Sequence, residues 1–503
     1  MLKSLLRFMK GSVRAGLQVL LMITWTFAVC AQNPSVVPVP GRPALLLSAF
    51  DLGALGFTTE EFFISGTASA YELAGSQSPD GHWQASPAQT APYVTRIVTV
   101  RPTDPNKFNG TVVVEWLNVS GGADATPDWN ASHRLIMREG FAYVGVSAQK
   151  VGVEGGPSLG GMGMPLKKAN PERYGGLSHP GDAFSYDIFS QAGRILRAPD
   201  ATHVLGGLVP KRIIAVGESQ SAVFLTTYVN AVDPLAKVYD GFLIHSRFGS
   251  PSRLDGASMI NVPPDSRPPP ARLRTDLRVP VITVITETDL LGAGLPGFYR
   301  ARQPDNPRLR IWEVPGTSHA DNYTFGNGFI DSGAEPLDKL AAGYEPIARI
   351  LGTQLAKPIN FGPQHHYVVE AALWSLDRWI RTGHAAPKAD RIKLTPGGRE
   401  SDPATIVLDS NGEAAGGIRT PWVDVPTAIL SGSGNSGGPL AILVGVSEPF
   451  DAATLDRTYP GGKSEYLNEF GASLSATIEA GFILPADRWE ILELAAMAYH
   501  GSH

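Results

Sequence analysis

Arg212-Ile213-Ile214-Ala215-Val216-Gly217-Glu218-Ser219-Gln220-Ser221-Ala222 decides how this chain is read. Its first half is a short apolar, β-branched run, the pattern of a buried strand. It passes without a spacer through small and polar residues into 222–232, which read as a helix. A serine on so sharp a strand-to-helix turn is displayed at the edge of a sheet, and the crowded backbone demands small residues on either side of it. Gly217 meets that demand. Ser221 stands where the pattern usually has glycine; it is small, so the motif is weakened without being broken. The competing reading makes Ser219 a helix N-cap. The strand before it and the helix after it favour a nucleophile.

Working outward, residues 58–73, 93–100 and 111–117 read as strands, with a turn over 102–109. From there helices alternate with strands: helix 129–139, strand 141–147, helix 183–197, strand 212–216, helix 222–232 and strand 239–245. Strands 279–285 and 309–314 follow, then a helix over 367–381. This rhythm belongs to the α/β class, with a mainly parallel central sheet and helices on both faces. Residues 250–274, rich in Pro and Arg, form either a lid-like insertion that walls a pocket or an ordinary surface loop. The core is expected over 32–390. Residues 391–503 form a C-terminal extension expected to pack on it, with strands near 404–408 and 440–446 and a flexible loop over 431–438. Its last helix, 486–499, is opened by Pro485.

A serine hydroxyl needs a base. Strand 309–314 leads into Pro315-Gly316-Thr317-Ser318-His319-Ala320-Asp321, which puts His319 at the carboxyl edge where open α/β sheets carry their sites. The base in turn needs an acid to fix its tautomer. Strand 279–285 ends in Thr286-Glu287-Thr288-Asp289; Asp289 is preferred by the length of the turn, and Glu287 is its rival. The order Ser219, Asp289, His319 is that of the α/β-hydrolase fold. An oxyanion hole is expected from the Gln220 amide and from the loop after 112–117, where Ser120, Gly121 and Gly122 are candidate donors and Asn118 offers a side-chain amide. A plain chain-reversing turn is the alternative for that loop. His245 and Arg247, at the end of another strand, are candidate pocket residues. His179, in Ser178-His179-Pro180-Gly181-Asp182, is read as structural.

Several chemistries are set aside. The Gly-rich run 155–163 lacks phosphate-loop spacing and a following Lys-Ser/Thr pair. His365-His366 is not metal-spaced and no H-E-x-x-H occurs, so neither a metal nor a cofactor is expected. The net charge of −5 comes without a basic patch, which argues against nucleic acid. Lys3, Arg7, Lys10 and Arg14 precede an apolar stretch, 16–29, of signal-peptide length, and Val29-Cys30-Ala31 offers a cleavage site. Residues 1–31 are therefore expected to be a signal peptide and the protein to be exported to periplasm or medium, with an uncleaved anchor as the alternative. The single cysteine lies inside that leader, so a large core, not disulfides, must hold the mature chain together. After cleavage no membrane attachment is expected.

Four segments, GESQSA, VVVEWLNVSGG, TETD and VPGTSHAD, together resemble the bacterial alpha/beta hydrolase domain family of large proteins. Gly416-Gly417-Ile418-Arg419-Thr420-Pro421, Val423-Asp424-Val425-Pro426 and Gly481-Phe482-Ile483-Leu484-Pro485-Ala486-Asp487 are similar to its C-terminal signatures. The resemblance covers nearly the whole mature chain and implies serine hydrolase chemistry on small-molecule esters. An amidase, lactonase or acyltransferase would use the same three residues. A catalytically silent binding module is the reading from another class.

Overall fold

A computed structural model describes residues 34–159, 163–198, 203–257, 263–395 and 404–502, which form one compact unit. The segment read as a signal peptide lies outside the described residues. Nine strands form the main sheet: β1 (Ser35–Val39), β2 (Phe57–Leu73), β3 (Ala85–Pro102), β4 (Thr111–Trp116), β5 (Ala142–Val146), β6 (Arg212–Glu218), β7 (Gly241–His245), β8 (Val281–Thr286) and β9 (Leu309–Val314). Their order is β1-β2-β3-β5-β4-β6-β7-β8-β9. The first three strands and the β3–β5 pair are antiparallel; from β5 to β9 every pairing is parallel.

Both faces of the parallel part are buried, so its strands are continuously apolar. Alternate side chains serve opposite faces. Val112, Val114, Ile213, Ala215, Phe242 and Ile244 join one core cluster, while Val113, Ile214, Val216, Leu243, Ile282 and Trp312 join the other. Helices α2 (Ser185–Arg197) and α3 (Gln220–Thr227) give Phe189, Ile195, Phe224 and Leu225 to the first. Helices α1 (Pro127–Arg138) and α4 (Gln364–Thr382) give Leu135, Ile136, Val369 and Leu373 to the second. The central sheet with helices on both faces is therefore as the alternating pattern predicts. Strand order reverses around β4 and β6, which lie side by side while their connections diverge. The crevice at such a reversal is where this architecture places ligands.

Beyond residue 390 the chain wraps back onto the sheet. Ala428–Ser431 pairs antiparallel with Val446–Pro449. The strand expected over 440–446 is instead a 3₁₀ turn at Ala441–Leu443, because Pro439 precedes it and Gly445, at φ +54°, breaks any extended run before Val446. Helices α5 (Gly462–Glu479) and α6 (Arg488–Ala498) follow. Arg134 and Arg138 of α1 hold this region by ion pairs to Glu490 (2.5 Å) and Asp487 (2.6 Å).

The described part of the 250–274 stretch is anchored. Ser250 and Ser252 are fully buried, the Ser252 carbonyl accepts from Gln77 Nε2 at 2.9 Å, and Arg272 N–H donates to the Pro79 carbonyl at 2.9 Å. Residues 258–262 of the same stretch lie outside the described residues.

Candidate active site

β6 ends at Glu218, and Ser219 turns the chain into α3 with φ +57° and ψ −119°. A non-glycine residue at positive φ is strained, and such strain is kept where the surroundings over-determine it. Two observations show how. The Ser219 N–H donates to the His245 carbonyl at 3.0 Å, pinning the turn to β7. A Cβ at position 217 would stand 3.2 Å from the Ser221 backbone, so only glycine fits there without displacement.

Ser219 Oγ lies 2.8 Å from His319 Nε2, and His319 Nδ1 lies 2.6 Å from Asp289 Oδ1. The imidazole stacks on Phe248, centroids 5.3 Å apart, and its backbone N–H donates to Thr288 Oγ1 at 3.1 Å. Asp289 is held from the other side by Thr286, whose N–H and Oγ1 donate to Oδ2 at 2.9 and 2.7 Å in a capping box. Burial alone would raise the Asp289 carboxyl; His319 and the Thr286 donors outweigh it and hold the group below its ordinary value. Burial pulls the His319 imidazole down, but Asp289 and Glu218 overcome this and hold it up at about 9. An imidazole fixed at Nδ1 by a carboxylate and facing a hydroxyl through Nε2 can take the hydroxyl proton and return it.

Glu287 is turned away from the histidine. Its Oε1 accepts the Gly316 N–H at 2.7 Å and its Oε2 the Gly432 N–H at 2.8 Å, which ties the β8 turn to the loop after β9 and to the C-terminal region. Of the two acids open in the sequence, only Asp289 touches His319.

The expected oxyanion donors separate into engaged and open groups. Asn118 is not among the open ones: its Nδ2 donates to the Glu218 carbonyl (3.1 Å) and to Glu218 Oε2 (3.2 Å). The Ser120 N–H is taken by Asn118 Oδ1 at 2.8 Å and the Gly122 N–H by the Val119 carbonyl at 2.9 Å. Among the described residues Gly121 N–H and Gln220 N–H have no hydrogen-bond partner, and a Cβ on Gly121 would meet nothing within 4 Å. Of the donors expected from the sequence, these two amides are the ones without a partner.

The two candidate pocket residues do other work. Arg247 is buried, donates to the carbonyls of Phe248, Gly249 and Ala271, and lies over the Phe298 ring, so it braces a loop. The His245 ring faces into the protein: Nδ1 is 2.9 Å from Asp128 Oδ1 and Nε2 is 2.8 Å from His365 Nε2. His365 Nδ1 is in turn 3.3 Å from Asp321 Oδ2. This buried Asp–His–His–Asp chain escaped the sequence reading, because 120 residues separate the two histidines. His179 is structural, with Nε2 on the Ala148 carbonyl at 2.8 Å and Nδ1 accepting the Gly181 N–H at 3.2 Å. Among the described residues no group of three or more His, Cys, Asp or Glu is placed to hold a metal ion.

The chain is similar in structure to acetyl xylan esterase 1 from Thermoanaerobacterium sp. JW/SL YS485, at 10% identity and TM-score 0.31, over 57% of this chain and 84% of that one. It is likewise similar to the esterase Pf2001 of Pyrococcus furiosus, at 12% identity and TM-score 0.27, over 55% of this chain and 87% of that one. No curated protein matches in sequence. The alpha/beta hydrolase domain model matches residues 31–493, from the end of the expected leader to within the last helix, and the chain belongs to that family.

Proposed function

We propose that this protein is an exported serine hydrolase that cleaves small-molecule carboxylic esters through an acyl-enzyme. The observation that carries the reading is the continuous contact from Asp289 Oδ1 through His319 to Ser219 Oγ, at 2.6 and 2.8 Å, on a serine held at positive φ. His319 takes the Ser219 proton as Oγ attacks the ester carbonyl. Asp289 keeps Nδ1 protonated and stabilises the imidazolium that forms. The amides of Gly121 and Gln220 receive the charge that develops on the carbonyl oxygen. His319 Nε2–H then protonates the departing alkoxide. Water repeats the sequence on the acyl-enzyme, delivering its proton to Nε2 and returning the hydroxyl to Ser219. Export rests on the leader read over 1–31.

Fluorophosphonate labelling tests the reading. One adduct on Ser219 and hydrolysis of p-nitrophenyl acetate are expected from the wild type. Neither is expected from Ser219→Ala, whose turnover should fall by at least about 10⁴-fold, given that loss of the nucleophile in a serine hydrolase costs on the order of 10⁶. Ester turnover that survives in folded Ser219→Ala would remove the assignment.

A further inference from the structure

His319 Nε2 faces two oxygens, not one. Besides Ser219 Oγ at 2.8 Å, Glu218 Oε1 lies 3.3 Å away. Glu218 directly precedes Ser219, its side chain is 10% exposed, and its second oxygen is held by Asn118 Nδ2 at 3.2 Å. Asn118 also grips the Glu218 carbonyl at 3.1 Å, so the loop after β4 fixes both ends of this residue. Burial raises the Glu218 carboxyl to about 8; among the ionisable groups on neighbouring elements, His319 in the loop after β9 and His365 of α4 lower it, while Asp128 of α1 and Asp289 in the turn after β8 raise it. Among the described residues His319 is the one cationic partner within ion-pairing distance of it.

Resting on the hydrolase reading above, we propose that Glu218 is a positioning residue, a lateral acceptor for the proton on His319 Nε2 that sets the pH above which His319 works as a base. Before attack, neutral His319 accepts the Ser219 hydroxyl proton at Nε2. As the Oγ–carbonyl bond forms, that proton moves to Nε2 and the ring becomes imidazolium. Its N–H then points between the leaving oxygen and Glu218 Oε1. The carboxylate holds the ring on that line until the carbon–oxygen bond breaks and the leaving oxygen takes the proton. Once Glu218 has ionised, at about 8, the same negative charge stabilises the imidazolium in the free enzyme, so a higher pH is needed to empty Nε2 of His319, which is held up at about 9. Glu218 thus trades activity at low pH for orientation of the charged ring. Asn118, spent on Glu218 and not on an oxyanion, belongs to this arrangement.

The pH profile of kcat/KM separates this from a purely structural role, because its limbs report the free enzyme's ionisations. Glu218→Gln keeps the shape and the oxygen that accepts from Asn118 but removes the charge. Its acidic limb is expected to move to lower pH by about one unit or more, with kcat at high pH reduced, since a neighbouring carboxylate typically shifts a pKa by about that much. Glu218→Asp keeps the charge, so its limb should stay near that of the wild type even where kcat falls. An unmoved limb in Glu218→Gln, or an equal shift in both variants, overturns the proposal. Should Glu218→Gln fail to fold, a limb in Glu218→Asp displaced downward by a full unit overturns it and an unmoved one supports it. Fluorophosphonate labelling at Ser219 keeps the two readings apart. A wild type that takes no label removes the hydrolase reading and this inference with it, whereas a labelled wild type with an unmoved Glu218→Gln limb removes this inference alone.

Discussion

Two Asp–His chains lie at the carboxyl edge of this sheet. One runs Asp289–His319–Ser219 and ends in a hydroxyl. The other runs Asp128–His245–His365–Asp321 and ends in a carboxyl group at both sides. The aspartates and imidazoles of both are buried, and both hold an imidazole against an aspartate. They differ in what the far nitrogen meets. In the first it meets a group that can become a nucleophile. In the second the two Nε2 atoms meet each other at 2.8 Å, which requires one proton between them. Burial raises Asp128 to about 8 and pushes His245 well below its ordinary value. Neutral Asp128 therefore donates to His245, His245 to His365, and His365 to Asp321, with every donor satisfied inside the chain. An Asp–His pair is a base only where its free nitrogen opens on a reacting atom; otherwise it is a buried strut joining α1, β7, α4 and the loop that carries His319.

The most direct way to break this comparison is to neutralise the acid of each chain. Asp289→Asn should lower kcat by about 10⁴-fold, the loss seen when the third member of a serine triad can no longer fix the tautomer. Asp321→Asn should stay within about tenfold of the wild type, since it ends a chain that touches no reacting atom and most of a triad's effect lies in its own three members. Steady-state turnover of p-nitrophenyl acetate checks both. An equal collapse in Asp321→Asn would make the second chain part of the chemistry.

A smaller effect sharpens the strut reading. His365→Leu leaves the His245 Nε2 without its buried partner, and such a group costs about 1–3 kcal/mol of stability. Denaturant unfolding should show that loss while Ser219 still takes a fluorophosphonate. Adding His245→Leu should then cost less than the two single changes summed, because residues in direct contact are not additive. Full additivity would mean that the two rings do not support each other.

The two chains also mark what a sequence discloses. The elbow at Ser219 is legible because strand, turn and helix are contiguous, and the order Ser219, Asp289, His319 follows from the strands that precede them. The choice between Asp289 and Glu287 is not local. Both sit in one turn after β8, and what separates them is the Gly432 N–H, which binds Glu287 from a loop 145 residues downstream. The backbone position of Asn118 suits an oxyanion donor, but the direction of its amide depends on Glu218, 100 residues away. Helix α5 leaves a faint mark in the sequence. Its buried residues Tyr466, Phe470, Leu474 and Thr477 recur at helical spacing, but Gly462 and Gly471 and a weakly apolar face hide it among turns.

Glu287 supplies the finest test of why one acid touches the base and the other does not. It is fully buried, and burial raises it to about 7 against the pull of the Gly432, Gly316 and Ser431 donors. In the unfolded chain a glutamate ionises near about 4.3. A carboxyl group whose folded value is raised stabilises the fold most below its unfolded value, and that contribution is lost as pH rises through the folded one. The window runs from about 4.3 to about 7 by these values. Glu287→Gln removes the ionisation but sets an amide against the two glycine N–H groups, a fixed cost at every pH. The wild type should therefore lead the variant in Tm by more at pH 5 than at pH 8. The change in that lead should be on the order of 2 °C, since about 1 kcal/mol moves Tm by a few degrees in proteins of moderate size. Other buried carboxyls are common to both proteins and cancel in the difference, except Glu413, which is close enough to feel the Glu287 charge. A lead that is constant with pH would mean that Glu287 stays protonated across the range or is already ionised at pH 5. Either result would leave its hydrogen bonds to Gly316 and Gly432, and not its charge, as what keeps it from serving His319.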